Sequence, residues 1–485
     1  MTHLFEYTLM NPNPTVTIPK KFQIGMFVVI SILLLAEGFT QWKIHTLLWE
    51  NSHVMSGLIQ TEWFYVSNNR LGMYATQILP LIGLKLNFPD SLVIILQSLN
   101  YVLLPLALIA WVMFRWKNVP HAVFIFFVIT LGAFYIHFSK EYALVNSLLY
   151  SVVMAAFIQS KWDEKNKMHY LILIAFLILT LYTFTLALFF IVPLLWFYKD
   201  KLGMKMFVLA ILTIAGVFAI TFLQSTYIMN NVAAVGGDKM SMRGVHVVVQ
   251  ALKKIGWYYS TIITASVILM LFFFRKMDRK IGLILGIHIA FLAIAIRYLI
   301  AVCGNVFEFD ISNLILIRVE VTLFIILASI IYFSLAHLEW KPWLMYLIFV
   351  LAVGRFIFLN VSTTPVNAII MQKEFLVNRL ATDYPDKKVF LVSRDCNFIP
   401  NNYELDDFKH ESFVISTYLG KPILVYLTNH FEVYEEQGRP QFVNKTQDAP
   451  VNFYDEATYE WRFDPILEYP KMKIHAQDIE KVLCP

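Results

Sequence analysis

The sequence predicts a polytopic α-helical membrane protein of about eleven transmembrane helices, followed by a small C-terminal α/β domain that folds in water. Three observations carry this. Hydrophobic residues make up 58% of the chain, charged residues only 15%, and the mean hydropathy is +0.61, outside the range of ordinary soluble domains. Long apolar runs fill the chain as far as Asn360, and a more polar, net-acidic stretch of 125 residues comes after it. Lys and Arg cluster in alternate connections between the runs, the asymmetry that fixes orientation in a bilayer.

Crossing about 30 Å of hydrocarbon takes roughly 20 apolar helical residues. Runs of that order fall at 22–42, 91–115, 121–139, 142–160, 168–199, 205–224, 257–274, 281–300, 314–337 and 343–360. The run 168–199 is too long for one simple helix and short for two full crossings. Thr180, Thr183 and Thr185 lie in its middle, where hydroxyls can satisfy carbonyls released by a turn. We read it as a tight hairpin of two short helices, which brings the spans to eleven.

With the segment 1–21 in the cytoplasm, the inner connections carry Lys20 and Lys21, Arg115 and Lys117, Lys161 to Lys167, Lys199 to Lys205, Arg275 to Lys280, and Lys341. A single crossing at 168–199 would split the third and fourth clusters between faces and invert everything after them. The hairpin therefore puts residues 361–485 on the extracytoplasmic side of a plasma (inner) membrane. The first apolar run lacks a small-residue cleavage site and is expected to stay as an anchor. The net charge of +5 divides into 26 Lys/Arg against 15 Asp/Glu before residue 361 and 13 against 19 after it. Basicity thus reflects topology, and nucleic acid is not an expected partner. Cys303, Cys396 and Cys484 all fall on the outer side, where Cys396 and Cys484 either pair or stay as free thiols. No His/Cys metal spacing is present.

Two long outer loops interrupt the transmembrane part 22–360, at 43–90 and 225–256. The first is too apolar for a plain connector. Trp42, Trp49, Trp63, Phe64 and Tyr65 suit a membrane interface, so the loop is expected to lie on the bilayer as short amphipathic helices. Its acidic residues are Glu50 and Glu62, the latter within QTEWFY, and no Asp occurs before Asp90. The second outer connection holds HFSKEY, with His137, Lys140 and Glu141.

One span, a long outer loop with amphipathic helices, a short second loop with charges at a helix start, a half-length hairpin and a soluble outer domain together resemble the GT-C superfamily of integral-membrane glycosyltransferases. The resemblance covers residues 20–360 and rests on layout more than on motif. It implies transfer of a sugar from a polyprenyl-phosphate donor to a glycan, lipid or protein acceptor at the outer face of the cell envelope, with inversion and a carboxylate base. It implies no particular cofactor and leaves a divalent cation open. Glu62 matches the family's acidic residue before aromatics, and Glu141 its second acidic position.

Such a transfer needs a carboxylate to take the acceptor's proton and cations to hold the departing phosphate. Glu62 is the candidate base, with Glu141 or Glu50 orienting the acceptor. His137 and Lys140 stand beside Glu141. Arg243, in VGGDKMSMRGVH, Arg297 and Arg318 are candidates to grip phosphate. Each has a structural alternative. Glu62 and Glu50 suit a solvated or capping role, Lys140 a pair with Glu141, His137 the interface, Arg243 a headgroup, and Arg297 an ion pair with Glu320 between helices. His288 and Arg355 receive no role.

In the soluble domain 361–485, a helix at 366–382 leads into the strand KVFLVS, and a helix around 410–419 into KPILVYLTN. The later segments, QGRPQFVNKTQDAP and the run to Pro485, read as irregular. Asp395, Asp406 and Asp407 suit a cation, an acceptor or plain solvation. A transporter is the rival class, although no repeat relates the two halves. A catalytically inactive scaffold of the same layout is the third.

Overall fold

The computed structural model describes residues 18–47, 49–65, 70–131, 143–184, 187–234, 280–288, 312–337, 340–392, 408–427, 431–436, 439–445, 460–463 and 479–482. The first helix, α1 (Lys20–Thr40), continues through α2 (Trp42–Leu47) and α3 (Trp49–Thr61). A 3-10 segment, Leu71–Gln77, runs into α4 (Ile78–Lys85). Helix α5 (Asp90–Ala110) ends in one wide turn, Trp111–Arg115, and α6 (Val119–Leu131), α7 (Ala143–Lys161), α8 (Lys167–Thr183), α9 (Leu188–Phe197) and α10 (Met204–Ala234) come next. After a helix over 280–288 come α11 (Ser312–His337), α12 (Pro342–Val361) and α13 (Thr364–Asp383).

Among the described residues, three helical stretches are long and apolar enough to cross a membrane: Lys20–Thr40, Asp90–Arg115 and Pro342–Asp383. Val119–Leu131, Lys167–Thr183, Leu188–Phe197, Met204–Ile220 and Phe324–Ala336 are shorter apolar helices. Their outward sides are apolar too: Ile32, Leu212, Val350 and Phe358 are each about 60% exposed, as lipid-facing side chains must be. The span expected at 257–274 lies outside the described residues, and α10 runs to Ala234, past the point where the second outer loop was expected to begin.

The run 168–199 does break in two. Phe184 is extended after α8. The two ends of the run meet on one face: Lys201 donates from Nζ to the Gln159 carbonyl at 2.6 Å, and Gly203, at φ 76°, packs beside the Glu164 carboxylate. Chain entering at Lys167 and leaving at Lys201 therefore goes out and returns. Polar side chains tie the helix ends at this face. Asn118 Nδ2 donates to Gln159 Oε1 and Ser160 Oγ, at 3.0 and 2.7 Å, and its Oδ1 meets His121 Nδ1 at 2.9 Å. His121 Nε2 reaches the Tyr332 hydroxyl at 2.9 Å, and the Tyr198 hydroxyl lies 3.2 Å beyond.

The C-terminal part contains a parallel sheet in which β1 (Val389–Val392) is central between β2 (Leu424–Leu427), joined to it through α14 (Phe408–Tyr418), and β6 (Ile479–Val482). Val389, Phe390 and Val392 are all buried, as a central parallel strand with both faces covered requires. Ser412 and Ser416 of α14 accept from the backbone N–H groups of Val425 and Ile423, both at 2.9 Å, satisfying donors along β2. The stretch expected to be irregular is instead partly sheet. β3 (Phe431–Glu436), β4 (Arg439–Lys445) and β5 (Glu460–Phe463) form an antiparallel sheet, and β6 (Ile479–Val482) pairs with β1. Glu435, Glu436, Pro440 and Lys481 hide the strand pattern, because ladder hydrogen bonding tolerates polar side chains and Pro440 precedes the part of β4 that β5 pairs with.

This unit and the segment 43–90 share one core. Ile44, Leu47, Met55 and Leu58 of α2 and α3 pack with Val93 of α5 on one side and Val377, Leu380 and Phe413 on the other.

Candidate functional site

At this junction the loop helices lie between the end of α1 and the C-terminal unit, and a buried polar cluster forms the base. Gly38 lets α1 approach α5 closely, since an added Cβ would meet a Val102 methyl at 2.8 Å. Beside it, Ser98 Oγ donates to the Gly38 carbonyl at 2.8 Å, which commits its only hydrogen. Ser98 therefore accepts from His45 Nδ1 at 2.9 Å, and His45 Nε2 turns to Glu37 Oε1 at 3.1 Å. One proton lies in that last contact, shared as imidazolium with carboxylate or imidazole with carboxylic acid. Glu37 is 1% exposed and His45 0%, so the pair braces the turn from α1 into α2 rather than meeting a substrate.

Amides from α5 and the 3-10 segment then fix the loop backbone. Gln77 Oε1 accepts from the Tyr65 N–H at 2.8 Å while its Nε2 donates to the Tyr65 carbonyl at 2.7 Å. Asn100 of α5 binds the Leu79 N–H at 3.2 Å and the Ala75 carbonyl at 2.8 Å. Tyr150 of α7 donates to the Gly72 carbonyl at 2.9 Å. The loop is thus held largely by its main chain, and side chains line its outer edge.

Glu62 is on that edge. It comes directly after α3, is exposed, and has φ 52°, the left-handed conformation in which helices commonly end; its N–H donates to the Leu58 carbonyl at 2.9 Å. Trp63 beside it is 60% exposed, and the Lys85 ammonium stands 5.8 Å from the centre of its ring. Leu71, Ile78, Ile82 and Leu86 are also exposed, the last three spaced four apart along α4 and its C-terminal cap.

Glu50 belongs to α3 and Arg318, like Glu320, to α11. His137, Lys140, Glu141, Arg243 and Arg297 lie outside the described residues, as do Cys303, Cys396, Cys484, Asp395, Asp406 and Asp407. Of the residues without an assigned role, His288 is buried with its ring nitrogens 2.7 and 2.9 Å from the Ile284 and Phe189 carbonyls, and Arg355 lies over Phe358.

Sequence reasoning passed over the residues that join the loop to the C-terminal unit. His53 and His410 stack with ring centroids 4.2 Å apart, and Lys373 of α13 pairs with Glu411 of α14 in a buried contact. Glu37 had a usable signal, a lone carboxylate inside an apolar run. Among the described residues, no group of three or more His, Cys, Asp or Glu is placed to hold a metal ion. No family model, no curated protein and no solved structure matches the chain.

Proposed function

We propose that the chain is a membrane glycosyltransferase of GT-C type, moving a sugar from a polyprenyl-phosphate donor to an acceptor at the outer face of the membrane. The observation that carries this is the corner made by Glu62, Trp63 and Lys85. A carboxylate, an exposed aromatic face and a cation stand in sequence at the rim of an apolar edge. The apolar edge suits the polyprenyl chain, the Lys85 ammonium its phosphate, the indole the C–H face of a sugar ring, and Glu62 the acceptor's proton. In this reading the chain crosses eleven times, the corner lies in the outer leaflet, and Glu141 with Arg243, Arg297 and Arg318 completes the site.

The test is transfer from a panel of radiolabelled polyprenyl-phosphate sugars by purified protein in liposomes. Glu62→Gln is expected to abolish transfer and Lys85→Ala to weaken it at least tenfold, both without loss of protein. Normal transfer by Glu62→Gln removes Glu62 from the mechanism. A second reading, an inactive scaffold of the same layout, draws on the left-handed backbone at Glu62, which suits a helix terminator; it predicts no turnover with any donor from well-folded protein.

A further inference from the structure

Cations gather at one end of the neighbouring helices α1, α5 and α12. Lys20 and Lys21 open α1, Arg115 and Lys117 stand at the close of the wide turn after α5, and Lys341 caps the start of α12; all are exposed. Ring contacts hold these ends side by side. Phe27 of α1 meets Phe114 of the wide turn edge-on at 5.1 Å, and Phe22 meets Tyr346 of α12 at 5.9 Å. The backbone fixes the turns themselves. Trp116 donates its N–H to the Trp111 carbonyl at 3.2 Å, Asn118 to the Val112 carbonyl at 3.0 Å, and Trp340 to the Leu335 carbonyl at 3.1 Å. Lys117 at φ 55° and Trp340 at φ 50° both take the left-handed conformation that ends helices, and the buried Trp340 ring lies 5.2 Å from that of His121 in α6. We propose that this end of α1, α5 and α12 binds a phospholipid with a net-negative headgroup, its phosphate among Arg115, Lys117 and Lys341 and its acyl chains along the exposed apolar sides of the helices.

Charge complementarity selects this occupant. Among the described residues, α1 carries no Asp or Glu before Glu37, α5 none after Asp90, and the wide turn, α6 and α12 none at all; Glu6 and Glu339 lie outside the described residues. Both of those carboxylates, Glu37 and Asp90, belong to the opposite ends of their helices. The basic stretch Lys161 to Lys167 is of another kind, because Asp163 and Glu164 interrupt it. Apolarity comes directly next to the cations. Val28, Trp111, Trp343 and Leu347 are all exposed, and indole rings at the ends of apolar helices settle at headgroup depth, which brings Arg115 and Lys341 to the level of the phosphates. There the Arg115 guanidinium can fork onto two phosphate oxygens, while the lysine ammonium groups add point charge. Basic clusters bordering apolar helix ends draw acidic lipids in this way.

The site rests on these helices crossing a membrane and is independent of any transfer reaction. Full-length protein in detergent is mixed with phosphatidylglycerol and phosphatidylcholine of identical chains in equal amounts, and bound lipid is counted by native mass spectrometry. Phosphatidylglycerol is expected to be retained roughly tenfold or more over phosphatidylcholine. Arg115→Gln with Lys117→Gln and Lys341→Gln should abolish most of that preference. Lys161→Gln with Lys165→Gln and Lys167→Gln removes the same charge from the mixed stretch and should leave the preference unchanged. Glycerophosphoglycerol, the same headgroup without chains, should not displace the lipid at equal concentration. Equal retention of the two lipids by the parent, a preference kept by the first triple variant, an equal loss in both triples, or displacement by the chainless headgroup each overturns the site. Retention of neither lipid also counts against the membrane reading beneath it. Should the first triple lower the thermal midpoint, Arg115→Gln with Lys341→Gln is read in its place and decides in the same way.

Discussion

Lys43 and Glu374 stand 331 residues apart in sequence, yet the Lys43 ammonium lies 2.8 and 2.9 Å from the two oxygens of Glu374. The contact bridges α2, at the start of the segment 43–90, and the helix that opens the C-terminal unit. With Lys43 38% exposed, solvent screens it, and it contributes below about 1 kcal/mol. Its effect is on register. Lys43→Glu is expected to speed proteolysis of the junction, and adding Glu374→Lys to restore the parent rate. Failure of the swap to restore it would show that Lys43 acts through packing on Trp42 instead.

The Lys373–Glu411 pair is different in kind. Its side chains are 9% and 2% exposed, so removing one partner strands a buried charge. Glu411→Gln is expected to cost about 3 kcal/mol or more and to lower the thermal midpoint of the full chain. Lys373→Met with Glu411→Leu should cost clearly less than either single change, because no unpaired charge then remains.

Gly57 is fixed by a side chain rather than by its own backbone. The Tyr65 ring lies against it and leaves no room for a Cβ. Gly57→Ala should displace the ring from His53 at a cost of about 1–3 kcal/mol. Gln77→Ala should cost about as much by abandoning both backbone groups of Tyr65. Faster amide exchange around Tyr65 in both variants, with unchanged exchange in α7, is the expected reading.

Lys201 lies in a four-residue helix, Lys199–Leu202, between α9 and α10, and partial burial lowers its pKa from the ordinary 10.5. Below that value the unfolded chain binds more protons than the folded one, so stability rises with pH as the folded group loses its proton, in the window beneath 10.5. Lys201→Met should flatten that rise in urea unfolding curves taken up to pH 10.5. A slope identical to the parent's would locate the alkaline sensitivity elsewhere.

The helical part was legible because hydrocarbon demands long apolar runs, and the return of 168–199 because basic clusters flank it. The net-acidic tail was harder. KVFLVS and KPILVYLTN announce buried strands, whereas β6, reading IEKV, becomes a strand only by pairing with β1 some 90 residues earlier. The corner at Glu62 was visible as a carboxylate before aromatics, but Lys85 was not, since it reaches Trp63 across a turn of chain. His53 and His410 lie 357 residues apart, and no spacing rule reaches so far.

The shared core has a consequence for biosynthesis. Ile44, Leu47, Met55 and Leu58 leave the ribosome early, while Val377, Leu380 and Phe413, which cover them, are made more than 300 residues later. At about 5–20 residues per second, the loop waits roughly 15–60 s for its lid. Through that interval the nascent apolar face needs a temporary companion, whether the bilayer surface or a chaperone. A chain stopped after α12 would keep that need permanently, which marks it for quality control even with every one of its own helices intact.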